Sequence, residues 1–169
     1  MDAYVAACRA PDLLRGVLPE GALSVAFVTV FSKLGVERGY EASWELARKM
    51  ATLVLVFMSV VVVLGIILSA PLIGVLAPGF DPEKAAFAAE LTRIMFPFIL
   101  LVSLAALAMG MLNSRNVFGV PALASSFYNL GSIFGGVTLA WLMDPTFGPR
   151  ALVGMAIGTL IGGFLQMAV

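Results

Sequence analysis

The stretch from Met50 to Ala77 reads MATLVLVFMSVVVVLGIILSAPLIGVLA and carries no charged residue. A helix needs about 20 apolar residues to cross a hydrocarbon layer roughly 30 Å thick. This run exceeds that length and is dominated by Val, Leu and Ile, so it predicts a membrane-spanning helix. Gly65 and Pro71 are expected to bend it, and Pro78-Gly79 to end it. The whole chain agrees. Its 169 residues are 61% hydrophobic and 12% charged, with a mean hydropathy of +1.04. Soluble domains are about 45–50% apolar and about 25% charged.

The same inventory excludes several function classes. Ten basic and ten acidic residues give zero net charge, so no global field attracts nucleic acid or an acidic partner. There is no His and one Cys, Cys8, which rules out an intrachain disulfide and any His-based metal site or proton relay. No nucleophile–base pair, phosphate-binding loop or zinc spacing appears, so no enzyme and no cofactor is expected. The first residues, Met1-Asp2-Ala3-Tyr4, lack the basic stretch of a signal peptide.

Outward from Met50, the preceding stretch Lys33 to Lys49 (KLGVERGYEASWELARK) reads as a hydrophilic loop. Ser43 is placed to cap the next helix and Trp44 to sit in the membrane interface. Beyond Ala77, Asp81-Pro82-Glu83 reads as helix cap, first-turn proline and first-turn acid, with a kink expected at Pro97. Asn113 to Phe118 is a turn carrying Arg115. Ser125, Ser126, Tyr128 and Asn129 form a polar cluster, expected to hydrogen-bond between helices. Gly154, Gly158 and Gly162 form a small-xxx-small stripe, expected where helix backbones approach closely. The fold expected is an all-α, polytopic transmembrane helix bundle. It is a single membrane domain over 1–169, with about five segments near 3–33, 50–77, 86–113, 118–143 and 150–169.

Short loops set orientation through their Lys and Arg residues. Lys33, Arg38, Arg48, Lys49 and Arg115 fall on one side, against Lys84, Arg93 and Arg150 on the other. That bias places the Lys33–Lys49 stretch in the cytoplasm and the first residues outside. A further helix is expected upstream of Met1, and the apolar run at Gln166–Val169 points to continuation downstream.

The first segment is the unusual one. Arg9 to Phe27, RAPDLLRGVLPEGALSVAF, is apolar yet holds Arg9, Asp12, Arg15 and Glu20. Pro11 should bend it and the Pro19–Gly21 stretch should break it. Charge inside the bilayer costs roughly 2.5–3.5 kcal/mol per residue on insertion scales, and it persists where it faces a cavity or a partner. Asp2 and Arg9 share a helical face, while Arg9, Asp12 and Arg15 step by three, within pairing reach. Two readings stand. The three charges neutralise one another at an interface, or Arg15 faces a cavity and grips an anionic group with its planar fork. Glu20 either lines that path or accepts backbone donors freed by the break.

At these residues the chain resembles the lipid II flippase family, MurJ, also called MviN. The matching runs are Asp2-Ala3-Tyr4, Arg9-Ala-Pro-Asp-Leu-Leu-Arg15 and Pro19-Glu20-Gly21-Ala22-Leu23-Ser24. Further matches are Ala77-Pro-Gly-Phe80, Leu91-Thr-Arg-Ile94, Phe96-Pro-Phe-Ile-Leu-Leu101 and Gly162 to Gln166. Asp12, Gly16 and Pro19 depart from the family pattern and lower the local positive charge. The resemblance implies part of a MOP-superfamily (MATE-like) bundle in the bacterial cytoplasmic membrane. Such a bundle moves a lipid-linked disaccharide-peptide precursor from the inner to the outer leaflet by alternating access around a cationic cavity. By motif match it implies that Asp2 and Arg15 fall on charged positions the family needs for function; with Arg9 and Glu20 of the same charged segment they are the candidate substrate-binding residues. Membrane lipids are expected partners and cell-wall synthesis proteins candidate ones. The alternatives are an exporter of polysaccharide lipid intermediates or drugs within the same superfamily, and a non-transporting membrane scaffold.

Overall fold

The computed structural model describes the backbone of residues 2–17 and 22–169, and the side chains of 2–9 and 26–169. Every regular element among them is helical. The order is α1 (Asp2–Val17), α2 (Ala22–Arg38), α3 (Tyr40–Ile67), α4 (Ser69–Leu76), α5 (Pro82–Met95) and α6 (Pro97–Asn113). There follow α7 (Gly119–Leu130), a π-helical turn (Gly131–Gly135), α8 (Gly136–Met143) and α9 (Pro149–Ala168). Tyr40–Ile67, Pro82–Asn113 and Pro149–Ala168 are each long and apolar enough to cross a membrane. At 28 residues α3 is roughly 42 Å long, more than the hydrocarbon layer requires.

The expected Lys33–Lys49 loop is instead helical, interrupted only at Gly39. Most of its residues (Lys, Leu, Glu, Arg and Ala) are strong helix formers, and its charges fall at helical spacing. Lys33 pairs with Glu37 and Lys49 with Glu45, both i,i+4. Charge marks the end of the apolar layer there, not the end of the helix. The N-cap is Gly39, not Ser43. Ser43 lies a turn inside α3, buried, and donates to the Phe31 carbonyl at 3.2 Å. Gly39 has φ +84° and ψ 175°, a conformation essentially reserved for glycine. A Cβ there would meet nothing within 4 Å, so any cost of Gly39→Ala is conformational alone. We expect Gly39→Ala to destabilise the α2–α3 corner by about 1–3 kcal/mol, read as a lowered melting temperature in detergent.

The prolines act through the donors they lack. Pro71 cannot donate to the Ile67 carbonyl, and the chain breaks between α3 and α4 at Leu68. Gly65 packs rather than bends: a Cβ there would stand 1.9 Å from the Phe96 ring, which is fully buried. Pro97 cannot donate to Arg93, and α5 gives way to α6 there, as the sequence predicts. Pro82 opens α5, although Asp81 makes no side-chain cap bond. α1 runs as one helix through Pro11, whereas the Pro19–Gly21 break lies outside the described residues.

α9 is the element on which α7 and α8 are laid. The glycine stripe does what its spacing predicts. A Cβ on Gly154 would stand 2.4 Å from the Ala140 nitrogen, one on Gly158 2.2 Å from the Gly136 Cα, and one on Gly162 2.6 Å from the Tyr128 carbonyl. Three successive turns of α9 therefore lie backbone against backbone along the α7–α8 strip. The two serines of the α7 polar cluster do not hydrogen-bond between helices as expected. Ser125 and Ser126 are exposed and donate to their own helix, at Pro121 (3.5 Å) and Ala122 (3.4 Å). A hydroxyl bonded back to the i−4 carbonyl needs no outside partner. Tyr128 stacks on Phe98 of α6, centroids 5.5 Å apart, and Asn129 is exposed.

Candidate functional site

α1 is parallel to α5 and packs on it through small residues. Ala3 and Ala6 meet Ala88 and Ala89, while Ala7 meets Leu91 and Met95. Burying that face leaves Asp2, Val5 and Arg9 on the opposite one, all exposed, at the i, i+3, i+7 positions of a single stripe. The sequence expectation that Asp2 and Arg9 share a face is thus met. Asp12 and Arg15 belong to α1 by backbone, but their side chains, and Glu20 entirely, lie outside the described residues. The Arg9–Asp12–Arg15 pairing lies there too.

Asp2 has a partner that sequence reasoning missed. Lys84 Nζ sits 2.9 Å from Asp2 Oδ2 and 4.6 Å from the centroid of the Phe80 ring. Lys84 occupies the first turn of α5, where the positive end of the helix dipole disfavours a cation. Asp2 and the Phe80 ring offset that. The signal available in the sequence was this misplaced lysine, although nothing local names a partner 82 positions away. The hydrogen bond and charge of Lys84 hold the Asp2 carboxyl below its ordinary 3.8.

Because the folded value lies below the unfolded one, the stabilisation from this pair is present above about pH 3.8. It is lost as pH falls through the folded value. We expect carboxyl NMR titration to place the Asp2 midpoint below 3.8, and Lys84→Met to return it toward 3.8. An Asp2 midpoint unaffected by Lys84→Met would dissolve the pair in solution.

Lys84 also lines a cleft of about 540 Å³ between the starts of α1, α5 and α9, with Ala3, Phe87, Phe147, Pro149 and Met155. This end of the bundle carries Asp2, Asp81, Glu83 and Asp144. The last accepts from Thr146 N (3.1 Å) and Oγ1 (2.6 Å) in the turn before α9. The other end is aromatic and basic. Arg115, between α6 and α7, lies 3.8 Å over the Tyr40 ring and 5.2 Å from that of Trp44. The Lys33–Lys49 stretch and the Arg115 turn therefore share one end of the bundle, the grouping that loop charge gave. Among the described residues, no cluster of three acidic or thiol side chains is placed to hold a metal.

Long apolar helices with charge gathered at both ends and along one face of α1 define an integral membrane protein of the helix-bundle class. The chain belongs to the lipid II flippase MurJ family: the family model of that description matches residues 1–169 throughout. A relative from Burkholderia cenocepacia named "Lipid II flippase MurJ" is 34% identical over 99% of this chain. "Probable lipid II flippase MurJ" proteins of Bdellovibrio bacteriovorus and Buchnera aphidicola are 35% and 33% identical, each over 98% of it. The chain covers 31–32% of the length of these relatives, about a third.

Proposed function

We propose that this chain is the substrate-facing part of a flippase. In this reading it carries a lipid-linked peptidoglycan precursor from the inner to the outer leaflet of the bacterial cytoplasmic membrane. The observation that carries the reading is the family match along the entire chain, reinforced by relatives named as lipid II flippases. The transport cycle alternates access around a cationic cavity, and the charged first segment lines it. Arg15 and Arg9 meet the diphosphate. Glu20 orders the backbone around the break. Asp2, already engaged by Lys84, acts as a positioning residue: an anion does not attract a diphosphate, but the ion pair fixes the end of α1 against α5. Several membrane passes follow, with the Lys33–Lys49 end in the cytoplasm.

The test is leaflet translocation of a polyprenyl-diphosphate-linked disaccharide peptide in proteoliposomes by the intact transporter containing this segment. Translocation dependent on the protein is expected. A protein that moves small organic cations but not the diphosphate-linked precursor overturns the cargo assignment.

A further inference from the structure

From Gly119 to Met143 the chain is one run of helix with a fault in it: α7 and α8 are joined through the π-helical turn Gly131–Gly135. Such a turn holds one residue more than an α-helix would, and its N–H groups reach five residues back instead of four. Ser132 carries the consequence. In the α-helices Thr52, Thr92, Ser103 and Thr159 each donate to the carbonyl four residues back, at 2.7–3.2 Å. The residue four back from Ser132 is Tyr128. Yet the Ser132 Oγ is buried with no hydrogen-bond partner among the described residues. It faces Gly162 of α9, where a Cβ would collide with it. A buried hydroxyl left unpaired weighs against the register that strands it.

The packing of α8 on α9 opposes that cost. Gly158 lies against the backbone of Gly136, and Gly154 against that of Ala140, which is buried. Releasing the extra residue, with α7 and α9 held fixed, turns α8 by one position, about 100° round and 1.5 Å along its axis. Each place on α9 then receives the preceding residue of α8. Gly135 takes the place of Gly136, glycine for glycine. Leu139 takes the place of Ala140, and its larger side chain is crowded against the Gly154 backbone. One register packs α8 and strands the hydroxyl; the other pairs the hydroxyl and crowds α8. We infer that the Gly131–Gly135 turn is a register switch. Through it α8 rotates about its own axis between the π register and an α register in which Ser132 donates to the Tyr128 carbonyl. The end of α8 carries the turn whose Phe147 and Gly148 line the cleft beside Lys84, so the rotation reshapes that cleft. The switch does not depend on the cargo.

The experiment is fluorine NMR of the chain labelled with fluorotryptophan, in detergent micelles. Trp141 in α8 and Trp44 in α3 are its two tryptophans, and Trp44→Phe assigns them. Wild type is expected to show Trp141 in two environments, as a minor resonance or as exchange broadening that Trp44 lacks. Deleting Gly135 removes the extra residue with α8 left in place, and should leave Trp141 a single sharp resonance at the major position. Leu139→Ala removes the crowding and should raise the minor population several-fold. Ser132→Ala removes the hydrogen bond that the α register gains and should lower it about fivefold, the weight of one hydrogen bond. The opposite shifts of the two point variants keep the test decisive if the deletion fails to fold, which far-UV circular dichroism reports. A single sharp Trp141 resonance in both wild type and Leu139→Ala, exchange that survives the deletion, or shifts of the same sign in the two point variants would each overturn the switch.

Discussion

Gly158→Ala is expected to destabilise the bundle by about 2 kcal/mol, one methyl group outweighing a better helix former. The new Cβ would stand 2.2 Å from the Gly136 Cα and 2.3 Å from its nitrogen. Backbone cannot rotate out of the way as a side chain can, so α8 and α9 must separate and their contact is lost along neighbouring turns. Overpacking costs typically 1–3 kcal/mol, and here the rigid neighbour puts it at the upper end. Against this stands a helix-propensity gain of about 1 kcal/mol for Gly to Ala. Gly154→Ala should act in the same direction, its Cβ meeting the Ala140 nitrogen at 2.4 Å. Gly74→Ala in α4 is the control, because a Cβ there meets nothing within 4 Å and only the propensity gain remains. Thermal unfolding of the three variants in one detergent decides it. A Gly158→Ala protein that melts with Gly74→Ala, at or above wild type, would mean that the α8–α9 contact is looser than described.

That glycine stripe was legible because close approach leaves a periodic trace: Gly154, Gly158 and Gly162 recur every fourth residue, and only a helix face makes that period meaningful. The proline-linked breaks were legible for an equally local reason, a missing donor at Pro71 and Pro97. The Lys33–Lys49 stretch was misread because polarity was taken as a loop signal. Its Lys–Glu spacing at 33/37 and 45/49 is a helical signature, and of its two glycines Gly35 stays within α2 while Gly39, at φ +84°, interrupts the helix. Ser125 and Ser126 misled in a related way: a hydroxyl in an apolar helix suggests a partner across the bundle, but the i−4 carbonyl is nearer. The Asp2–Lys84 pair leaves only a one-sided trace, a lysine in the first turn of α5, and the meeting itself is made by the packing of α1 on α5. The charged composition of the first segment was plain in the sequence. The surroundings of Arg15 and Glu20 lie outside the described residues, so their roles rest on charge and family.

For Arg15 the expectation is the largest of all: Arg15→Ala in the intact transporter should abolish precursor translocation while leaving the folded protein in the membrane. A guanidinium in an apolar segment is retained at a cost of roughly 2.5–3.5 kcal/mol, so removing it should not weaken insertion. Its contribution lies in binding. Each charge-assisted hydrogen bond contributes about 1.5–3 kcal/mol, and a two-pronged grip on a diphosphate loses two of them. The loss corresponds to on the order of a hundredfold or more in affinity at 1.4 kcal/mol per factor of ten. Arg15→Lys separates charge from shape. A point cation keeps the attraction but not the fork, so partial translocation is expected, well above Arg15→Ala and well below wild type. Asp2→Ala should also lose activity, but through the end of α1 moving off α5. Lys84→Ala should therefore reproduce it, and the exchange Asp2→Lys/Lys84→Asp should restore part of what each single change removes. Binding of the diphosphate precursor, measured separately from its translocation, should fall in Arg15→Ala and hold in Asp2→Ala. Wild-type binding and rate in Arg15→Ala would return the arginine to the simpler role of pairing with Asp12 at an interface and leave the cavity to other residues.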